Sequence, residues 1–256
     1  MSATAVFESL ASILSLVAAV FIFDQYLVRP RPYKLLWALG LLFYGLAAGA
    51  DAAGTLSHWT VLDYKAWYYF GGVLTAAYLG LGSLFLLAPR RWAWIVAGII
   101  GAVSLYTAVR VLMLPVGAET TARLASLPTL AVTDVKQFSI MPLDVRILTV
   151  AAMNIPGSLL LFGGAVWSAW VYLRKHSAAY RVISMVLLAL GAVFPAVGSG
   201  LQPLGYSGMA ALGEFLGAIC ILSGLLISLD VFTVFRIPFT HVVLHQRQIH
   251  AEAVRG

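Results

Sequence analysis

The sequence predicts an all-α membrane protein, a seven-transmembrane helix bundle with its N-terminus outside and its C-terminus cytoplasmic. Three observations carry this. The 256-residue chain is 61% hydrophobic and 10% charged, whereas soluble domains carry about 25% charged residues. Apolar runs recur that reach the roughly 20 residues needed to cross about 30 Å of hydrocarbon. Lysine and arginine gather in alternate connections between those runs.

Seven spans follow in order, at residues 6–28, 35–56, 67–88, 92–114, 147–173, 182–200 and 208–233. No Lys or Arg precedes Asp24, so the first run lacks the basic start of a signal peptide and is expected to be a retained helix. The second contains "GLAAG" at 45–49 and the seventh "GEFLG" at 213–217, both GxxxG patterns that let helix backbones approach closely. The fifth contains "MNIPGS" at 153–158, and the sixth carries Pro195; each proline removes a backbone donor and strains its helix. Trp59, Trp67, Tyr68 and Tyr69 on one side, and Trp92, Trp94, Trp167, Trp170 and Tyr172 on the other, read as interfacial aromatic belts.

The basic residues orient the bundle. Arg29, Arg31, Lys34, Arg90, Arg91, Arg174, Lys175, Arg181, Arg236, Arg247 and Arg255 fall on one side, and only Lys65, Arg110, Arg123, Lys136 and Arg146 on the other. The positive-inside rule makes the first side cytoplasmic. Residues 1–233 then form the transmembrane domain, with a long outer loop at 115–146 in which "AETTARLASL" reads as a short amphipathic helix. Residues 234–256 are a short basic cytoplasmic tail.

Spans one to three can be laid over five to seven at an offset of 147, which sets Tyr33-Lys34 on Tyr180-Arg181. Such a three-plus-one-plus-three plan resembles that of SWEET-type sugar carriers in topology. Their Pro-Gln signature stands here in reverse, as Gln202-Pro203, so the resemblance stops at topology.

Polar groups inside the spans are the candidates for function, since an ionised side chain in lipid costs a few kcal/mol and normally faces protein, water or a ligand. Asp51, Arg110, Asn154 and Glu214 all fall about 6 to 10 Å inside the outer ends of their spans. Glu8 stands near the outer end of the first. An Arg110–Glu214 or Arg110–Asp51 pair is the structural expectation, leaving one carboxyl for a proton or a cation. The expected role is a small-solute or proton-linked transporter with an outer-leaflet site of Asp51, Arg110, Asn154 and Glu214. The alternative is a membrane sensor, receptor or accessory subunit that signals or docks through its cytoplasmic loops and tail. The expected partners are the lipid bilayer, a small solute or proton, and a membrane or cytoplasmic protein; the expected location is the inner membrane of a prokaryote.

Other classes fit poorly. Lys34, Lys65, Lys136 and Lys175 all lie in loops or at span ends, so no lysine in the seventh span awaits retinal. That span also lacks NPxxY. The histidines (His58, His176, His241, His245 and His250) do not sit within spans as a bis-histidine haem needs. "HVVLH" sets His241 and His245 four apart, on one face if helical, with His176, Asp24 and Asp230 on the same side. No Glu stands between the two, so no metal is expected. Cys220 is the single cysteine, so neither an internal disulfide nor a CxxC motif exists. No Ser-His-Asp or P-loop pattern appears. No cofactor, catalytic residue or nucleic-acid partner is expected.

Overall fold

The computed structural model describes residues 2–126, 140–174, 179–201, 208–228, 234–236 and 243–245. Helix α1 (Ala3–Val28) starts where the Ser2 hydroxyl accepts a hydrogen bond from the Ala5 amide at 3.2 Å. It stops before Pro30, and α2 (Pro32–Leu56) begins on a second proline, whose missing N–H is no loss in a first turn. A capping box opens α3 (Val61–Leu87): Thr60 Oγ1 accepts from the Asp63 amide, and Asp63 Oδ2 accepts from the Thr60 amide. This helix therefore starts six residues before the span expected at 67–88. Its middle, Trp67–Thr75, is π-helical. After Pro89 comes α4 (Arg90–Leu112), then the short α5 (Ala118–Ala125), the amphipathic helix expected in the outer loop. Residues 127–139 of that loop lie outside the described residues.

Helix α6 (residues 143–174) carries a second π-helical stretch, Leu148–Asn154, just before Pro156. Helices α7 (Ala179–Leu201) and α8 (Met209–Ser228) follow. The chain then forms a two-stranded antiparallel ladder, β1 (Val234–Arg236) with β2 (Val243–His245), pairing Val234 with His245. "HVVLH" thus ends in a strand. His245 belongs to β2 and His241 lies outside the described residues, so the helical spacing that would align them does not arise. Among the described residues, α1, α2, α3, α4 and α6 are long and apolar enough to cross a membrane. Helices α7 and α8 hold shorter apolar stretches, Val186–Pro195 and Met209–Gly224. This is a helical, multi-pass type of chain.

The helices pack in a ring. Neighbours run α1–α2–α3–α6–α7–α8 and back to α1, and α4 lies outside, against α3 and α6. Glycines set several of these contacts. A Cβ on Gly213 would meet the Phe194 carbonyl oxygen at 2.5 Å, and one on Gly217 would meet Pro195 Cγ at 2.7 Å, so α7 and α8 touch backbone to backbone. Gly45 lies as closely on Leu16 of α1, and Gly80 and Gly157 face each other's helix backbones across α3 and α6. Both GxxxG patterns therefore sit at helix contacts, where small residues gain dispersion contacts that lipid would otherwise supply.

The aromatic side chains divide. Trp92, Trp94, Trp167 and Trp170 are exposed, as interfacial anchors should be. Trp59 is not: it is 1% exposed, folded over Gly54, and joins Tyr64 and Tyr68 in a buried cluster between α2, α3, α4 and α6. The absence of a Cβ at Gly54 makes the room that this indole fills.

Candidate functional site

Three carboxyl side chains come together at one end of the ring. Glu8 stands five residues after the start of α1 (8 − 3), Asp51 five before the end of α2 (56 − 51), and Glu214 five after the start of α8 (214 − 209). Alternate helices run in opposite directions, so all three lie at one level, about 7.5 Å inside the helix ends. They are close enough for Glu214 and Glu8 to act electrostatically on Asp51, and Glu8 on Glu214.

The surrounding packing fixes this geometry. Tyr44 Oη donates to the backbone carbonyl of Glu214 at 2.8 Å, tying α2 to α8 two turns below Asp51. Phe7 and Phe215, each next in sequence to an acid, stack with ring centroids 5.4 Å apart and join α1 to α8. Ser12 Oγ donates to the Gly45 carbonyl at 2.8 Å and joins α1 to α2. Gly213 and Gly217 hold the Glu214 turn against α7, where Pro195 meets Gly217.

Glu8 is the most enclosed of the three, at 2% exposure. Its Oε2 stands beside the buried Oγ1 of Thr55 on α2, which is placed to hydrogen-bond it, and neither atom has a partner elsewhere. A buried polar atom without a partner costs stability. None of Glu8, Asp51 and Glu214 forms an ion pair with a described cation. Among the described residues, no three His, Cys, Asp or Glu side chains gather closely enough to hold a metal ion.

Arg110 is elsewhere. Its Nε lies 3.0 Å from Asp144 Oδ2 and its Nη2 3.2 Å from Oδ1, a two-pronged surface pair with side chains 45% and 38% exposed. Tyr106 Oη donates to the same carboxylate. The Arg110–Glu214 and Arg110–Asp51 pairs expected from sequence do not form, because α4 lies outside the ring that carries the acids. Depth alone matched Arg110 to them; the helix order did not. Asp144, read as loop, opens α6 instead, where a helix N-terminus favours an acid.

Asn154 ends the π-helical stretch of α6, half-buried, on a helix that packs against α3, α4 and α7. It stands on a different wall of the ring from the acids. So Asp51 and Glu214 are brought together, Glu8 joins them, and Arg110 and Asn154 stand apart. Glu8 had the same outer-end signal in sequence. What was missing was that α1 packs against both α2 and α8. No family model matches the chain, and no curated protein or solved structure matches it.

Proposed function

We propose that the chain is a seven-helix, multi-pass transporter of the prokaryotic cell membrane, N-terminus outside, that moves a small solute together with protons through the Glu8–Asp51–Glu214 cluster. The convergence of these three carboxyls at one level, with no described cation between them, is the observation that carries the reading. Clustered carboxyls in apolar surroundings repel one another unless protons or bound cations compensate their charge. Binding and release of protons there gives the solute-bearing state a different charge from the empty one, which is what coupling requires.

The ring supports the same reading. Its triplets α1–α2–α3 and α6–α7–α8 join at two seams, α3–α6 and α8–α1, while α4 links them from outside. Parallel repeats around a shared site are a recurrent carrier plan, and the acids line one of the two seams. Arg110 and Asn154, from the fourth and fifth spans, serve in this scheme at the outer rim and the opposite wall.

The test uses the purified chain in vesicles that enclose a pH-sensitive dye, offered a panel of sugars, amino acids and organic cations. A solute in the panel should acidify the lumen through the wild type and fail to do so through Glu214→Gln or Asp51→Asn. Acidification that persists unchanged in both variants overturns the reading.

A further inference from the structure

A second feature of the ring lies at its other end. Five of the six ring helices enclose a cavity of about 30 Å³, lined by Trp37, Leu79, Ser83, Ser168, Leu188 and Ile221 among others. A water needs about 10 to 15 Å³ by this measure, so the enclosed part is a narrow slot. Its walls are almost wholly aliphatic. The Ser83 hydroxyl is already spent on the Leu79 carbonyl at 3.3 Å, and the Trp37 indole N–H donates to that same carbonyl at 3.2 Å. With the Trp37 and Ser83 groups bonded internally, the slot offers water or a polar solute little besides the Ser168 hydroxyl.

The mouth is at the basic end of the bundle. Leu86 and Leu87, the last two residues of α3, line the slot and are also exposed. Arg90 and Arg91 follow them directly. Trp37 stands one turn after Lys34 on α2, and Ser168 six residues before Arg174 at the end of α6. Four cations on three connections thus lie at this end of the ring, where Lys34 Nζ donates to the Gln25 carbonyl at 3.2 Å and the Arg91 and Arg174 guanidiniums lie over Trp92 and Trp170. From Leu87 to Leu79 the slot runs eight residues along α3, about 12 Å.

We propose that this slot binds one acyl chain of an anionic phospholipid whose phosphate rests among Lys34, Arg90, Arg91 and Arg174. The small volume and apolar walls favour a thin, flexible methylene chain over a ring or a headgroup. The cations at the mouth select a negative headgroup over a zwitterionic one, as basic clusters beside membrane helices do. The lipid would hold α3 and α6 against α7 and α8 at the end of the ring away from the acids.

The test is native mass spectrometry of the full chain in nonionic detergent with added phosphatidylglycerol, phosphatidylcholine or oleate. The wild type should retain one phosphatidylglycerol, at least tenfold in preference to phosphatidylcholine or oleate. Ser168→Leu, which fills the slot, should abolish that retention. The exposed pair Arg90→Gln/Arg91→Gln should erase the headgroup preference. Equal retention of the three lipids by the wild type overturns the proposal. If Ser168→Leu does not fold, phosphatidylglycerol with brominated acyl chains decides. Trp37 lies in the slot, so quenching should include a component that is lost in Trp37→Phe. Identical quenching of wild type and Trp37→Phe overturns the proposal.

Discussion

Replacing Gly217 with alanine adds one methyl group within the close α7–α8 seam. That carbon would stand 2.7 and 2.8 Å from the Pro195 ring and 2.9 Å from the Gly191 carbonyl oxygen. All three are closer than carbon tolerates, and none is the free end of a flexible side chain. The helices must separate by several tenths of an ångström, and overpacking of this kind costs about 1 to 3 kcal/mol. Alanine also favours a helix over glycine by about 1 kcal/mol, which would mask part of the loss. Gly98 on α4 removes that ambiguity, because a Cβ there meets nothing within 4 Å. The propensity gain is common to both variants, so their difference reports packing alone. The assay is unfolding in mixed micelles with rising dodecyl sulfate, followed by far-ultraviolet circular dichroism. Gly217→Ala should unfold at lower dodecyl sulfate than Gly98→Ala, with a gap of about 1 to 3 kcal/mol. Coincident unfolding curves would refute the backbone-to-backbone contact between α7 and α8.

Other variants probe the rest of the account. Tyr44→Phe removes the hydroxyl that reaches the Glu214 carbonyl and should lower stability by about 1 kcal/mol in the same assay; a larger loss would mean that Tyr44 does more than this bond. Thr60→Ala removes one half of the α3 capping box and should cost about 0.5 to 2 kcal/mol, with hydrogen exchange rising first in the Val61–Ala66 turn. Glu8→Gln keeps the shape of an enclosed side chain and removes a repelling acid, so the melting temperature in detergent should rise; a fall would show that the carboxyl has an unseen partner. Asp144→Asn leaves the exposed Arg110 pair with one charge, and any effect should fade as salt is raised; an effect insensitive to salt would contradict a surface position.

Much of the helical plan was legible in the sequence because lipid imposes it. A chain that must satisfy its backbone hydrogen bonds internally forms helices wherever it is apolar for long enough. Runs of that length flagged α1, α2, α3, α4 and α6 without reference to packing. Local chemistry was legible too: "GLAAG" and "GEFLG" lie at helix contacts, and Pro156 follows a π-helical stretch. The start of α3 was missed because Thr60 and Asp63 are polar, and a hydropathy window reads a capping box as loop.

The candidate site was half legible. Counting residues from span ends placed Asp51 and Glu214 at one depth and Glu8 near the outer end of its span; in the ring the three acids stand at one level. The same count placed Arg110 with them, and it pairs with Asp144 instead. Depth is a one-dimensional coordinate, whereas pairing needs the order of helices around the ring. That order depends on which glycine faces which neighbour, as at Gly80 and Gly157, and a single sequence does not state it. Trp59 shows the same limit. Its position near a span end suggested an interfacial anchor, but the space beside Gly54 draws it inward.

Disulfide trapping tests most directly that α1 and α8 bring the acids together and that Arg110 stands apart. In a Cys220→Ala background, Phe7→Cys/Phe215→Cys places thiols on facing positions of α1 and α8, whose side chains now stack with ring centroids 5.4 Å apart, and Arg110→Cys/Glu214→Cys places them on helices that are not neighbours. Mild oxidation of membranes should cross-link the first pair within minutes and leave the second reduced. Rapid cross-linking of the second pair, with the first unreacted, would contradict the ring and dissolve the cluster with it.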